Sequence, residues 1–376
     1  MQVLTIGSLI AGFGNIGTVM FRRDLDFKRD FLFGFYSKVV TVIPTIILAL
    51  TYRSYWALVI GSIIGAALET IVSYVMHPFR PRFTLVKWRK FVSFAMWITP
   101  ASIADYLNQK ADVFIVGHIA SAAQFGAYNV ASELSRMATA EIVIPIARSI
   151  LPNYAKLRDD LTQLTAAFLI VLRTVAIVSF SFGFGIAAVA DDAVHVLLGD
   201  QWDFAVPLMR WLGIFGALTA IQSTIAGHIL IVLHRERAVF VITWARLILF
   251  GGSVLLAASI GTVVDIAMAA TLSTAAIVVA CVFYLPTALP VSGWRILLQL
   301  LRLFLTALLM YVAVRYLHST EIGPHWVTLI IDSATGAAIF SSILYLSWIA
   351  AGRPDGPEKR LLQLASDRLR RLTKRR

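Results

Sequence analysis

The sequence predicts an all-α, polytopic membrane protein of about 11 transmembrane helices with its C-terminus in the cytoplasm. Hydrophobic residues make up 59% of the chain and charged residues only 14%, whereas soluble domains average about 45–50% and about 25%. Eleven apolar stretches of about 20 residues or more are long enough to cross a hydrocarbon core as helices. These observations place the chain among multi-pass proteins of the bacterial inner membrane.

The loops between the apolar stretches alternate between basic and almost uncharged, and this alternation predicts the topology. Lys and Arg number 23 in the loops 22–29, 80–90, 156–158 and 235–237, at Arg295 and after residue 352. The intervening loops contain only one, Arg53. Because cytoplasmic loops retain Lys and Arg, the basic loops are predicted to be cytoplasmic, which leaves Met1 outside. The net charge of +12 therefore indicates contact with anionic lipid and no nucleic acid partner.

The predicted spans follow one another with short connections. Aromatic residues, among them Trp56 and Trp326, fall at several predicted span ends, as in an aromatic belt. After Gly352 the composition changes, and leucines recur at helical spacing among Arg and Lys, which predicts an amphipathic helix on the anionic inner leaflet. In chain order the predicted spans are 1–20, 31–52, 54–76, 91–117, 125–150, 161–190, 204–233, 238–260, 263–285, 295–317 and 326–350.

Motifs of enzymatic, cofactor or metal chemistry are not visible in the sequence. The pattern Gly12-Phe13-Gly14-Asn15-Ile16-Gly17 matches a dinucleotide-binding motif, but it lies in a membrane span and therefore predicts close helix packing. Gly61 and Gly65 are interpreted in the same way. The seven histidines are scattered, and those at 118, 195, 318 and 325 are interpreted as chance placements in short loops. Cys281 is the only cysteine, which excludes an internal disulfide. No cofactor is expected.

Charged side chains inside the spans require a partner or a wet cavity, because an ionised group at the bilayer centre costs about 2.5–3.5 kcal/mol. Glu133 and Arg136 are three residues apart, so they are neighbours on one helix face and can form an ion pair. A polar stripe runs along 91–117, where Pro100 is expected to interrupt the helix. The spans 91–117 and 125–150 are thus the predicted walls of a hydrophilic cavity. The deepest predicted charges are Lys38, Glu69, Asp105, Glu133, Arg136, Glu141, Arg173 and Arg246.

Arg173 is near the middle of its span, with no charged residue within one turn. Its guanidinium could bind an anionic substrate, because the planar fork matches phosphate and carboxylate groups. Pairing with Asp105 or Glu133 is an equally supported interpretation. Lys38 could equally extend its ammonium to the cytoplasm without contacting substrate.

Several motifs, in this order and spacing, resemble those of the polysaccharide and oligosaccharide flippase family. That family belongs to the superfamily that also holds multidrug exporters and lipid II flippases. The basic loop at 21–27 with Arg29 is the most recognisable, and the likeness covers roughly residues 1–290. The other motifs are at 56–59 with Gly61, 78–82, 107–108 with Asp112 and 115–117, 125–131, 197–202 and 205–208.

The resemblance implies an architecture of fourteen spans in two six-helix lobes and a terminal pair. Aligning the basic loop to its usual place after the fourth span leaves the first three spans missing, so an N-terminally truncated chain is expected. The implied organisation is a partial N-lobe at 1–76, a basic cytoplasmic linker at 77–90 and a C-lobe of six spans at 91–285. A terminal helix pair at 286–350 and the basic tail at 351–376 complete it.

The resemblance also implies translocation of a polyprenyl-diphosphate-linked glycan for exopolysaccharide or O-antigen synthesis by alternating access. The chain would be a transporter rather than an enzyme, and a polysaccharide polymerase complex is an expected partner. Arg173, Arg136 and Lys38 are the candidates for binding the headgroup. Asp105, Glu133 and Asp112 are the candidates for ion coupling.

Two alternatives remain open from the sequence. A drug or lipid II exporter would share the same fold. A membrane subunit without transport activity, or an inactive fragment, would share its apolar spans.

Overall fold

A computed structural model of the chain describes residues 4–24, 26–52, 54–80, 88–136, 154, 157–225, 229–317 and 324–350. Within these ranges the regular structure is helical and no strand occurs, which confirms the all-α class. Eight of the described helices are long and apolar enough to cross a membrane, and this confirms a multi-pass membrane protein. The predicted total of 11 spans stays a prediction. The tail at 351–376, and with it the side of the C-terminus, lies outside the described residues.

The chain divides into two compact units, Met1–Arg89 and Lys90–Arg376. The first unit contains α1 (Leu4–Ala11), α2 (Val19–Arg23), α3 (Phe27–Tyr52) and α4 (Tyr55–Met76).

Close packing of α3 on α4 depends on the two predicted glycines. A Cβ atom on Gly61 would lie 2.6 Å from Thr45 Oγ1, and one on Gly65 would lie 2.7 Å from Thr41 Cγ2. Small residues at these positions therefore let the two helices approach, as the sequence predicted.

The predicted span at 1–20 is not one continuous helix within the described residues, because α1 ends at Ala11. Asn15 caps a short 3-10 turn by accepting a hydrogen bond from the Gly17 N–H at 2.9 Å. Its side-chain nitrogen donates to the backbone oxygens of His77 at 3.0 Å and Phe79 at 2.9 Å. A Cβ on Gly17 would lie 2.7 Å from Phe79 Cβ, so this glycine allows the segment after α4 to approach, whereas close helix packing through the whole pattern stays a prediction.

All regular structure in the described residues of the second unit is helical. It comprises α5 (Trp88–Ile119), α6 (from residue 122, described to residue 136), α7 (Leu161–Ala188), α8 (Ala190–Leu197), α9 (Val206–Ser223), α10 (Ile229–Val232), α11 (Glu236–Ile260), α12 (Val263–Tyr284), α13 (Gly293–Leu317) and α14 (His325–Ala350).

One prediction for this unit differs from the structure. α5 runs through Pro100 without ending there, so the expected interruption was wrong. The missing N–H of a proline removes one backbone hydrogen bond, and neighbouring helices can support the turn that loses it. The predicted span 204–233 contains α9 and the short α10, and residues 226–228 between them lie outside the described residues. α9 begins next to Pro207, whose fixed φ suits the first turn of a helix.

α7 is a long helix of the second unit that packs against α9 and α13. Phe168 and Phe184 on α7 are fully buried. At the crossing with α9, a Cβ on Gly183 would lie 2.6 Å from the backbone oxygen of Gly213. This close contact fixes α9, which contributes one wall of the cavity described next.

Candidate functional site

A polar cavity opens within the second unit among α5, α6, α9 and α11. It consists of two adjoining volumes of about 380 Å³ and about 240 Å³. The lining residues that both volumes share are Asp105, Gln109, Gln222, Ser223 and Arg246. The predicted participation of α5 and α6 as walls is confirmed for their described residues, and we call this space the polar cavity.

α5 contributes the longest polar stripe of the polar cavity. Asp105, Asn108, Gln109 and Asp112 recur at helical spacing and therefore share one face. Asn108 is buried, and its side-chain nitrogen donates to the backbone oxygens of Ala104 at 2.9 Å and, across to α11, of Thr243 at 3.3 Å.

Arg246 on α11 faces this stripe and pairs with its first member. The guanidinium Nη1 donates to Asp105 Oδ1 at 3.2 Å, and Gln109 Nε2 donates to the other carboxylate oxygen at 2.9 Å. The Arg246 side chain is 10% exposed, whereas that of Asp105 is 47% exposed. The arginine is therefore the buried member of the pair, and the carboxylate lies towards the cavity space.

The polar cavity also retains hydrogen-bonding capacity. Asn108 Oδ1, Thr219 Oγ1, Gln222 Oε1 and Arg246 Nε are buried and have no hydrogen-bond partner among the residues that the structure describes. Buried polar groups in native proteins are normally paired, so a concentration of such atoms around one cavity is typical of a functional site.

The second carboxylate of the α5 stripe has a partner on α6. Tyr128 donates its hydroxyl to Asp112 Oδ2 at 3.0 Å, and both residues are buried. Farther along α6, Arg136 Nη2 lies 2.9 Å from Glu133 Oε2, which confirms the predicted ion pair three residues apart. Arg136 lines the polar cavity, whereas the Glu133 side chain is 63% exposed.

The remaining predicted headgroup residues lie elsewhere. Arg173 on α7 donates from Nε to Gln299 Oε1 on α13 at 2.8 Å, so the expected pairing with Asp105 or Glu133 was not found there. Arg173 is not among the residues that line the polar cavity. Lys38 is an exposed residue of α3 in the first unit. The roles predicted for all six site residues stay predictions.

The sequence predicted a headgroup role for Arg136 but not for Arg246. Arg246 was visible as a deep charge, but its partner is 141 residues away on another helix. The uncharged lining residues Thr219 and Gln222 stand out in the sequence only as polar residues within an apolar span.

A second group of charged residues lies where α8, α9, α13 and α14 meet. Asp191 accepts hydrogen bonds from Arg210 Nη2, at 2.9 and 2.7 Å to its two oxygens, and also from Arg315 Nη1. Asp192 lies 2.8 Å from His325 Nδ1. We call Asp191, Asp192, His195, Arg210, Arg315 and His325 the Asp191 cluster.

The two histidines of the Asp191 cluster are stacked, with ring centroids 4.4 Å apart. The interpretation of the histidines at 118, 195, 318 and 325 as chance placements stays a prediction; α8 and α14 bring His195 and His325 together, and His318 lies outside the described residues. The hydrogen bond between His195 Nδ1 and the Asp191 backbone oxygen raises the pKa of His195, and nearby Asp203 acts in the same direction. Among the described residues, no three His, Cys, Asp or Glu side chains are placed to hold a metal ion.

An apolar groove lies between α7, α13 and α14 and has a volume of about 350 Å³. Phe182, Ile186, Met310 and Phe340 form much of its wall, and the buried carboxyl group of Asp332 lies within it.

The chain is similar in sequence to proteins of polysaccharide biosynthesis. A family described as polysaccharide biosynthesis protein matches residues 1–207, which is more than half of the chain. The lipopolysaccharide biosynthesis protein WzxC of Escherichia coli (strain K12) is 22% identical over 60% of this chain and 47% of its own length. The teichuronic acid biosynthesis protein TuaB of Bacillus subtilis (strain 168) is 24% identical over 71% of this chain and 56% of its own length.

A solved structure of the lipid II flippase MurJ, in an inward closed conformation, has the same fold. The TM-score is 0.60 at 14% identity, and the match covers 85% of this chain and 67% of that chain. The chain spans about half the length of the curated relatives it matches.

Proposed function

Because the chain belongs to the polysaccharide biosynthesis protein family, we propose that it moves a polyprenyl-diphosphate-linked oligosaccharide from the inner to the outer leaflet of the bacterial inner membrane. It acts as a transporter in this proposal, with no chemical change to the substrate. The observation that carries the proposal is the polar cavity, in which two arginines face a polar wall inside an apolar helical unit.

The polar cavity suits the charged end of such a substrate. A diphosphate needs cations if it is to enter an apolar environment, and Arg136 and Arg246 both line the cavity. A guanidinium presents several donors in one plane, which matches phosphate oxygens better than a lysine would. The side chains of Gln109, Gln222 and Ser223 can exchange hydrogen bonds with the hydroxyl groups of attached sugars.

The apolar groove between α7, α13 and α14 supports the same proposal. A polyprenyl chain needs an apolar surface while its headgroup is enclosed, and the groove wall of Phe182, Ile186, Met310 and Phe340 provides one. Headgroup and lipid chain would thus be accommodated by different elements of the second unit, as alternating access with a lipid substrate requires.

The experiment that tests this function is lipid analysis after deletion of the gene in its own host. We expect polyprenyl-diphosphate oligosaccharide to accumulate and surface polysaccharide to be lost, and the 376-residue chain to reverse both. Arg246→Gln and Arg136→Gln should rescue poorly. Arg295→Gln, at an exposed position, is the matched control and should rescue like the unchanged chain.

An unchanged lipid-linked pool with normal surface polysaccharide would contradict the proposal. Accumulation of lipid II instead would identify the chain as a lipid II exporter, and altered drug resistance alone would identify a drug exporter. Full rescue by Arg246→Gln together with Arg136→Gln would show that the polar cavity does not bind the headgroup.

A further inference from the structure

We infer that Asp105 is an internal counterion for Arg246: it neutralises the arginine while the polar cavity is empty, and the anionic group of the substrate displaces it. The inference rests on the proposed function, because it assigns to Arg246 the binding of a substrate anion. It adds a role for Asp105 that differs from ion coupling, and it explains why an acidic residue lies in a cavity that receives an anion.

The geometry of the pair allows exchange of one anion for another. The contact consists of one hydrogen bond of 3.2 Å between Arg246 Nη1 and Asp105 Oδ1. Arg246 Nε has no partner among the described residues, so Asp105 does not bind the guanidinium through Nε and an Nη nitrogen together. A phosphate or carboxylate that used Nε and one Nη together would make two parallel hydrogen bonds, which is the stronger arrangement.

The two residues differ in exposure in the way that exchange requires. The Arg246 side chain is 10% exposed and is enclosed by α5 and α11, so it cannot follow a leaving partner into the cavity. The Asp105 side chain is 47% exposed and retains the Gln109 Nε2 hydrogen bond at 2.9 Å. When a substrate anion takes Arg246, Asp105 can therefore turn towards cavity water and still keep one polar partner.

A counterion of this kind meets a requirement of alternating access. After the substrate leaves, the empty protein must return to its starting conformation with Arg246 still buried. A buried charge without a partner is strongly unfavourable, so an empty state lacking Asp105 would resist closure around the arginine. Asp112, the other carboxylate of the α5 stripe, cannot serve in this way, because the Tyr128 hydroxyl already occupies it in a buried site.

Anionic oxygens at this site could come from the diphosphate or from the carboxylate of an acidic sugar. The binding test therefore uses two probes, farnesyl diphosphate and octyl β-D-glucuronide, with octyl β-D-glucoside as the uncharged control. The full chain in lipid nanodiscs is titrated with each probe, and Kd is measured by calorimetry. The probe that binds the unchanged chain identifies the source of the anion.

The decisive variant is Asp105→Asn, which keeps the shape of the side chain and removes its charge. We expect it to bind the anionic probe about two- to fivefold more tightly, because the probe no longer competes with an internal carboxylate. Asp105→Glu should bind like the unchanged chain, because it retains the competitor. Arg246→Gln should bind at least tenfold more weakly, and adding Asp105→Asn to it should produce no further change.

Transport should respond in the opposite direction to binding. In the deletion host, Asp105→Asn should leave lipid-linked oligosaccharide accumulated despite tighter binding, because return of the empty protein is slow. Asp159→Asn, at an exposed position before α7, is the control for removal of a negative charge and should change neither Kd nor rescue. Thermal unfolding of each variant verifies that it is folded.

Weaker binding by folded Asp105→Asn would overturn the inference, since it would show that the carboxylate helps to hold the ligand. Tighter binding with full rescue would also overturn the role in the empty state. Failure of both anionic probes to bind the folded, unchanged chain would instead contradict the proposed function of the polar cavity. The two failures are therefore distinguishable.

Discussion

Replacement of Gly183 by alanine tests the close crossing of α7 and α9. An added Cβ would lie 2.6 Å from the backbone oxygen of Gly213 and 2.7 Å from Ala217 Cβ. Both neighbours belong to the backbone or to a side chain without rotatable bonds, so neither can move aside alone. The two helices must separate by about 1 Å to restore ordinary contact distances.

The expected magnitude follows from two opposing terms. Overpacking of a well-packed core costs typically about 1–3 kcal/mol. Alanine is more favourable than glycine inside a helix by about 0.5–1 kcal/mol, which offsets part of that cost. The free energy of unfolding should therefore fall by about 1–2 kcal/mol in Gly183→Ala, taking the midpoints of these two ranges.

Gly185 provides a control on the same helix. A Cβ there would meet no atom within 4 Å, so Gly185→Ala should raise stability by up to about 1 kcal/mol. Thermal unfolding in detergent, followed by tryptophan fluorescence, should rank Gly183→Ala below the unchanged chain and Gly185→Ala level with it or above it. A Gly183→Ala variant that melts at or above the unchanged chain would refute the close crossing.

Three further predictions concern single hydrogen-bonded groups. Asp160→Ala removes the N-cap of α7 and should lower the free energy of unfolding by about 0.5–2 kcal/mol in a denaturant titration; no loss would contradict the cap. Tyr128→Phe removes the donor to buried Asp112 and should lower the free energy of unfolding by about 1–3 kcal/mol in the same assay; an unchanged value would show that the bond does not form. The pKa of His195 is raised, so its protonated ring stabilises the folded state. This contribution to the free energy of unfolding is complete below the ordinary pKa of about 6.5 and is lost as pH rises through the raised value. The melting difference between the unchanged chain and His195→Gln should therefore be larger at pH 5.5 than at pH 8.5, and a difference independent of pH would contradict this.

The positions of the later helices could be predicted from the sequence within a few residues. The predicted spans 263–285 and 295–317 correspond to α12, Val263–Tyr284, and α13, Gly293–Leu317. Bilayer thickness sets the length of an apolar run, and polar connections mark its ends, so both signals are local. The break after Ala11 was missed because it depends on hydrogen bonds from Asn15 to residues about 60 positions away.

The candidate site could be predicted only where partners are close in sequence. Glu133 and Arg136 are three residues apart, and helical geometry alone makes them neighbours. A carboxylate of Asp105 or Glu133 was one expected partner of Arg173, whereas the hydrogen bond found here is to the uncharged Gln299, 126 residues away. Hydropathy shows that a charge lies within a span, but it does not show which neighbouring helix that charge faces. Tertiary packing alone supplies that information.

Because two arginines share Asp191, their contacts with it can form only one after the other as the chain is synthesised. Arg210 follows Asp191 by 19 residues, whereas Arg315 follows it by 124. At about 5–20 residues per second, the ribosome delivers Arg315 roughly 6 to 25 s after Asp191. For most of that interval Arg210 is the one of these two arginines that Asp191 can engage, so α8 and α9 can be joined while α13 is still being made. The arrival of Arg315 then marks the moment at which the last helices can dock on a partner that is already in place.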